Sequence, residues 1–265
     1  MIYGLKVLLR EPFYYLTKPS GRNFIKLCVR FGTINRFEKR TFKLFGNSFT
    51  FVDSWSFLWQ YYDIFFRKSY FFSTQTQRPV IIDCGGNVGA SVLFFKQIYP
   101  KALVKCFEAD PFVYDVLKEN TKHLEDVEIV NQAVWSHNKG IKMRFDHADS
   151  AHVADDGETI SSVRLADELS RHERIDLLKM DVEGAEFEVL KDCKNALQNV
   201  NALFVEVHTF ENQPQQFSEL LKIVEEAGFR YYLEQAAEQK EPLKGDWKVS
   251  SAGMDVQLNL FCIRV

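Results

Sequence analysis

The stretch VIIDCGGNVGAS, Val80 to Ser91, carries three glycines within five positions just behind an apolar run. Val80, Ile81 and Ile82 form a short continuous apolar segment, which predicts a buried parallel strand. From Ala90 to Tyr99, Val92, Leu93, Phe95 and Ile98 recur at helical spacing. Gly85, Gly86 and Gly89 therefore fall at a strand-to-helix junction. There the first N–H groups of the helix lack intrahelical partners, and a ligand can rest on bare backbone.

Downstream the alternation continues. LVKCFEAD predicts a second strand, and DPFVYDVLKENTKHL a helix with Asp110 as N-cap and Pro111 at its first position. VEIVNQAVW predicts a third strand. Ser136 to Ser162 is polar, with an edge hairpin around IKMRF and a long loop, DHADSAHVADDGET. VRLADELSRH predicts a helix, IDLLKMD a fourth strand, EFEVLKDCKNAL a helix and NALFVEVH a fifth strand. PQQFSELLKIVEEAG predicts a helix ending at Gly228. FRYYLEQ and NLFCIRV, joined only by a loop, predict an antiparallel pair. Such alternation predicts an α/β protein with a Rossmann-like, doubly wound, mostly parallel sheet, and ligands at the carboxyl ends of its strands. Residues 79–265 read as this domain. Residues 1–78 read as a small irregular accessory region with a hairpin, TFKLFGNSFTFV, and an aromatic helix, SWSFLWQYYDIFF.

The 265 residues are 46% hydrophobic and 26% charged, ordinary values for a soluble globular chain. No apolar run approaches membrane-spanning length, and the apolar patch in MIYGLKVLLREPFYY is too short for a secretory signal. The five cysteines (Cys28, Cys84, Cys106, Cys193, Cys262) show neither metal spacing nor a disulfide framework, which predicts a reducing, cytoplasmic setting. The net charge of −3 divides unevenly, with +8 in residues 1–44 and −11 in the remainder. That basic start is rich in aromatics, including Phe24, Phe31, Phe37 and Phe42. One reading is peripheral contact with an anionic membrane at its inner face. The other is a solvated basic face whose aromatics pack on the main domain, or form a lid over an acceptor cleft.

The glycine turn narrows the ligand. A G-x-G-x-x-G frame starting at Gly85 meets Asn87 and Ala90, so the dinucleotide fingerprint is degenerate, and no P-loop lysine follows. The acidic Asp83 at the strand tip suits a cationic ligand better than a pyrophosphate. Glu108, at the tip of the next strand, can accept hydrogen bonds from both hydroxyls of a ribose. A positive group, a ribose and no phosphate together describe S-adenosylmethionine, which leaves as S-adenosylhomocysteine after methyl transfer. The glycines would then let the backbone pass beside its amino-acid end.

At this point the chain resembles the FkbM family of class I S-adenosylmethionine-dependent methyltransferases. The resemblance rests on DCGGNVG (Asp83–Gly89), FEADP (Phe107–Pro111), NQAVW (Asn131–Trp135), LKMDVEGAEFEVL (Leu178–Leu190) and VEVH (Val205–His208), and covers roughly residues 55–235. The acidic block formed by Lys179, Asp181, Glu183, Gly184 and Glu186 is its most family-specific part. Membership implies a seven-stranded sheet with a reversed last strand and O-methylation of a hydroxyl on a sugar, glycan or natural product. It also implies a cofactor site drawn from Asp83, Gly85, Gly86, Asn87, Gly89, Glu108, Ala109, Ala133, Val134 and Asp181.

Methyl transfer to a hydroxyl needs alignment and a base. Strand alternation puts Lys179 and Asp181 on one face, Glu183 opens the next helix, and Glu206 and His208 share a face at the adjacent strand tip. His208, Asp181, Glu183 and Lys179 are therefore the catalytic candidates. An alternative use of Asp181, Glu183, Glu206 and His208 is to ligate magnesium or calcium. Each residue can also be read as a helix-capping acid, a neutralising lysine or a hydrogen-bonded strand-end histidine. His147 and His152, in the polar loop, are candidates for a substrate lid. Competing classes are a nicotinamide-dependent oxidoreductase and a non-catalytic Rossmann-like binding protein. The expected partner is a small-molecule or glycan acceptor, not a nucleic acid; the acceptor's identity and the oligomeric state stay open.

Overall fold

The computed structural model describes residues 16–145, 151–153, 157–237, 242–245, 247, 249 and 253–264. His147 lies outside them, and for His152 only the backbone is described.

The chain enters through helix α1 (Pro19–Phe31), which buries Phe24, Leu27 and Phe31 along one side. Strands β1 (Arg40–Leu44) and β2 (Asn47–Phe51) pair antiparallel across Phe45 and Gly46, both at positive φ as a two-residue hairpin turn requires. Asp53 caps helix α2 (Ser54–Gln60), accepting from the Trp55 N–H, and the helix continues as a π-helical stretch, Tyr61–Arg67. The sequence reading of a hairpin and an aromatic helix is what forms.

The main sheet runs through β3 (Val80–Cys84), β4 (Leu103–Phe107) and β5 (Val127–Val130), with helices α3 (Ala90–Ile98) and α4 (Pro111–Thr121) between them. Asp110 caps α4 through the Phe112 and Val113 N–H groups, with Pro111 at its start, as the sequence predicts. VEIVNQAVW is not one strand. Asn131 turns out of the sheet, donating to the carbonyl oxygens of Glu108 and Ala109 at 2.8 and 3.2 Å. The chain then resumes as a separate strand, β6 (Ala133–Trp135).

The polar segment supplies β7 (Ile141–Phe145), which pairs antiparallel with β8 (Ala151–Val153) and β9 (Glu158–Ile160). VRLADELSRH is only partly helical. Its first residues belong to β10 (Ser162–Arg164), paired parallel with β6, because Arg164 is held there by Asp192 and Asp167. Helix α5 is confined to Leu165–Leu169.

Strand β11 (Ile175–Met180), helix α6 (Glu186–Cys193), β12 (Val200–Phe210), helix α7 (Phe217–Glu226), β13 (Phe229–Gln235) and β14 (Met254–Arg264) complete the chain. The seven-stranded sheet has the order β13-β14-β12-β11-β3-β4-β5, with β14 antiparallel to both neighbours. This is the mostly parallel, doubly wound sheet with a reversed last strand that the resemblance implies. Winding reverses between β3 and β11, so a crevice opens beyond their carboxyl ends.

Alternation along the strands sorts two cores. Ile82, Leu178, Met180, Val205 and Leu260 face α5, α6 and α7. Ile81, Leu177 and Phe204 face α3, α4 and the N-terminal aromatics. Tyr70 packs edge-on against Phe204 and Phe65 against Phe94, with ring centroids 4.8 and 5.9 Å apart. Residues 16–78 thus cover the half of this sheet face that α3 and α4 leave open. Their aromatics are mostly buried in a cluster continuous with the main core, and among the described residues no helix is long and apolar enough to cross a membrane.

Candidate active site

An open cleft lies beyond β3 and β4, where a doubly wound sheet places its ligands. Gly85, Asn87, Glu108, Ala109, Ala133, Val134, Asp181 and Glu183 line it, together with Trp135, Ile141 and Met143. The last three were not singled out from the sequence. Their signal is faint: Ile141 and Met143 alternate with polar residues, and it is packing against Ala133 and Trp135 that brings them to the cleft.

Glu108 organises the cleft floor. Its two carboxylate oxygens accept from the backbone N–H of Asn87 at 2.8 Å and of Asp110 at 2.9 Å. Burial pushes its carboxyl up to about 7, against the pull of those two donors. Remaining lone pairs can accept from ligand hydroxyls, because an ionised carboxylate offers about four acceptor sites.

The glycines answer a different need from the one the sequence suggests. A Cβ on Gly85 (φ +90°) would stand 1.9 Å from the Asp181 carbonyl oxygen. One on Gly86 would stand 2.1 Å from Cys106 Sγ, and one on Gly89 (φ +91°) 2.8 Å from Leu117. The close approach is thus to the residue that follows β11, to β4 and to α4; Gly86 and Gly89 face the core, and of the turn Gly85 and Asn87 line the cleft. Asp83 also turns away from the ligand side. It is fully buried, accepts from Ser91 Oγ at 2.6 Å, and the cation it meets is Lys179, 3.3 Å away.

Lys179 sits beneath the turn rather than in the cleft. Its ammonium donates to the Gly85 carbonyl oxygen at 2.7 Å, lies 3.5 Å from Asp181, and covers the Tyr70 ring. Burial opposes its charge, but Asp83 and Asp181 outweigh that and hold its pKa well above the usual lysine range.

The remaining candidates converge at one rim. Glu183 (φ +54°) and Gly184 (φ +101°) form a tight turn that leads into α6. Glu186 folds back on this turn and accepts from the N–H groups of Val182 and Gly184, satisfying donors at the helix start. The same carboxylate holds His208 Nδ1 at 3.0 Å. His208 Nε2 then faces Glu183 at 3.8 Å and Glu206 at 3.9 Å. Burial raises the Glu183 carboxyl well above its ordinary range, although His208 pulls it down, and burial with Asp181 raises Glu206 to about 7. Burial opposes a charge on His208, but Glu183 and Glu186 hold its pKa well above the histidine range. Glu186 is the positioning residue that the sequence motif contains but spacing alone does not identify.

With this geometry in view, the comparisons with known proteins are specific. A family model described as the methyltransferase FkbM domain matches residues 83–231, more than half of the chain. The hexuronic acid methyltransferase AglP of Haloferax volcanii is 33% identical over 137 residues, covering 49% of this chain and 56% of its own length. The 2-O-methyltransferase NoeI of Sinorhizobium fredii is 30% identical over 152 residues, covering 48% of this chain and 63% of its own. The match therefore spans less than two thirds of either relative. In fold, the chain is similar to a SAM-dependent methyltransferase of Agrobacterium tumefaciens, with a TM-score of 0.50 and 13% identity, over 87% of this chain and 70% of that one. The glycine turn, the Glu108 tip and the acidic block of Asp181, Glu183 and Glu186 all lie inside the matched segment, and the chain belongs to the FkbM methyltransferase family.

Proposed function

We propose that this protein transfers the methyl group of S-adenosylmethionine to a hydroxyl of a sugar, glycan or natural product. One observation carries the reading: the cleft holding Glu108 also opens on Asp181 and Glu183. A ribose-binding carboxylate and a proton-accepting group thus share one space.

The cleft fits this cofactor on chemical grounds. Glu108 offers a carboxylate to the ribose hydroxyls; Val134, Trp135, Ile141 and Met143 offer an apolar wall to a purine; the turn backbone at Gly85 and Asn87 meets the amino-acid end. When bound, the sulfonium supplies an activated methyl group. The chain's own task is to orient the acceptor, exclude water and receive a proton. On transfer of that methyl group to an acceptor oxygen, with S-adenosylhomocysteine as the leaving product, the hydroxyl proton would pass to the carboxylates of the rim. Glu183 suits that role on position, since it lines the cleft, and burial raises its carboxyl well above the ordinary range, which increases its basicity. His208, expected as the base from sequence, lies behind Glu183 and is 6% exposed.

The names of the two relatives, a 2-O-methyltransferase and a hexuronic acid methyltransferase, support a sugar hydroxyl as acceptor. Calorimetry with S-adenosylmethionine and with NAD tests the cofactor. Mass analysis of products formed from cell extracts with labelled cofactor tests the acceptor. Binding of NAD alone, or a labelled product carrying the methyl group on nitrogen or carbon, removes the reading.

A further inference from the structure

His208 is built into an unusual position. Its side chain is 1% exposed, and Glu186, which already accepts from two backbone N–H groups, takes its Nδ1. Its other nitrogen, Nε2, is buried and has no hydrogen-bond partner among the described residues. Carboxylate oxygens of Glu183 and Glu206 stand 3.8 and 3.9 Å from it, too far to hydrogen bond. Asp181 offers a third carboxylate, and the ligand atoms of Asp181, Glu206 and His208 all lie within 4.8 Å of one another.

Three features of this arrangement suit a cation better than a hydrogen-bonded cluster. Two donors bound to one ion at about 2.0–2.2 Å stand about 3–4 Å apart; His208 Nε2 and Glu206 are 3.9 Å apart, and the ligand atoms of all three residues lie within 4.8 Å. A histidine whose second nitrogen is held by a carboxylate is the usual form of a metal ligand, since that partner fixes the ring. The nearby cation, Lys179, is shared between Asp181 and Asp83, and the amide of Gln257 donates to Glu206, so the carboxylates keep an excess of negative charge.

We infer that Asp181, Glu206 and His208 form a binding site for a divalent cation of the manganese or magnesium class, open on the acceptor side of the cleft. Two carboxylates and one imidazole suit manganese best among the hard divalent ions. Of the three ligands Asp181 lines the cleft, so an ion held on them would be approached from that side. Its role rests on the methyl-transfer reading above: it would hold two oxygens of a sugar and acidify one, with Glu183 beside it to receive the proton. Sequence alone grouped Glu183 with the ligands; it falls outside the set of Asp181, Glu206 and His208 whose ligand atoms all lie within 4.8 Å of one another.

The test is a titration of Mn²⁺ into the full-length chain after EDTA treatment, followed by calorimetry and by the loss of the free-ion paramagnetic signal. One saturable ion per chain is expected, displaced by Mg²⁺ in excess. Asp181→Asn, Glu206→Gln and His208→Gln should each weaken it roughly tenfold or more, while the exposed Glu173→Gln leaves it unchanged. Circular dichroism checks the fold of each variant, and the two carboxylate variants carry the test if the buried histidine variant does not fold. No saturable Mn²⁺ binding by the folded chain, or equal affinity in folded variants, overturns the site. S-adenosylmethionine affinity in the same preparations is read separately. Cofactor binding without Mn²⁺ binding sinks the metal site alone, whereas Mn²⁺ binding without cofactor binding supports the site and removes the methyl-transfer reading.

Discussion

The Lys179 ammonium lies 2.7 Å from the carbonyl oxygen of Gly85 and 3.3 Å from the Asp83 carboxylate, both on the neighbouring strand and its turn. A single buried cation from β11 thus holds the glycine turn of β3 in place. Replacing it with Met leaves Asp83 buried with Ser91 Oγ as its remaining hydrogen-bond donor. Breaking a buried pair costs about 3–5 kcal/mol. Lys179→Met should lose that much in urea unfolding and weaken cofactor binding through the displaced turn. Wild-type stability in the variant would contradict the role assigned to this pair.

Gly85→Ala introduces a methyl group 1.9 Å from the Asp181 carbonyl oxygen, at a φ of +90°. Either β3 and β11 separate or the turn rebuilds. Cofactor affinity measured by calorimetry should fall at least about tenfold, and the melting temperature should drop as well. The effect appears in ligand-free protein, because the obstruction is the protein's own backbone.

Glu108 makes cofactor affinity depend on pH. Its carboxyl sits at about 7, so protonation on acidification removes an acceptor that the ribose hydroxyls use. Affinity should be full above about pH 8 and decline as pH falls through 7. Glu108→Gln should bind roughly tenfold or more weakly, since a charge-assisted hydrogen bond contributes about 1.5–3 kcal/mol, and its affinity should be flat across that range. A pH profile unchanged by the substitution would argue against Glu108 as the titrating group.

Trp135, the last residue of β6, forms part of the apolar wall. Trp135→Ala should weaken cofactor binding by about tenfold through lost ring contact, while leaving Mn²⁺ affinity unaltered. Loss of both together would point to collapse of the rim instead.

Removal of the N-terminal region should cost the fold. Phe65 packs on Phe94, and Tyr70 on Phe95 and Phe204 of the main domain, while Tyr61 lies behind Phe65 and Phe57 behind Tyr61. A chain beginning at Arg78 should express as aggregate or as an expanded, dye-binding state, because this face of the sheet becomes exposed apolar surface. A monomeric product with wild-type melting would show that the layer is dispensable.

Local pattern was sufficient for much of this fold. Apolar runs and helical spacing identify β3, β4, β11, β12 and the helices between them, since period and burial are written residue by residue. The Asp110–Pro111 cap and the terminal antiparallel pair, β13 with β14, are legible for the same reason. Glu108, read from its strand tip, and Ala133 and Val134, named with the resemblance, lie in the cleft lining. VEIVNQAVW was misleading because its break is a tertiary event: Asn131 leaves the strand to hold two carbonyl groups of the β4 tip.

The sequence by itself determined which residues share a strand face and which junction is free of side chains. Only the tertiary structure decided what each polar group meets. Asp83 points from the right strand, yet burial and the arrival of Lys179 from β11, nearly a hundred residues later, give its charge to the core instead of a ligand. His208 and Glu186 lie 22 residues apart, and their contact leaves one histidine nitrogen facing three acids. Periodicity sets direction from a backbone; partnership depends on which distant strand lies alongside, and that is settled by the packing of the whole sheet.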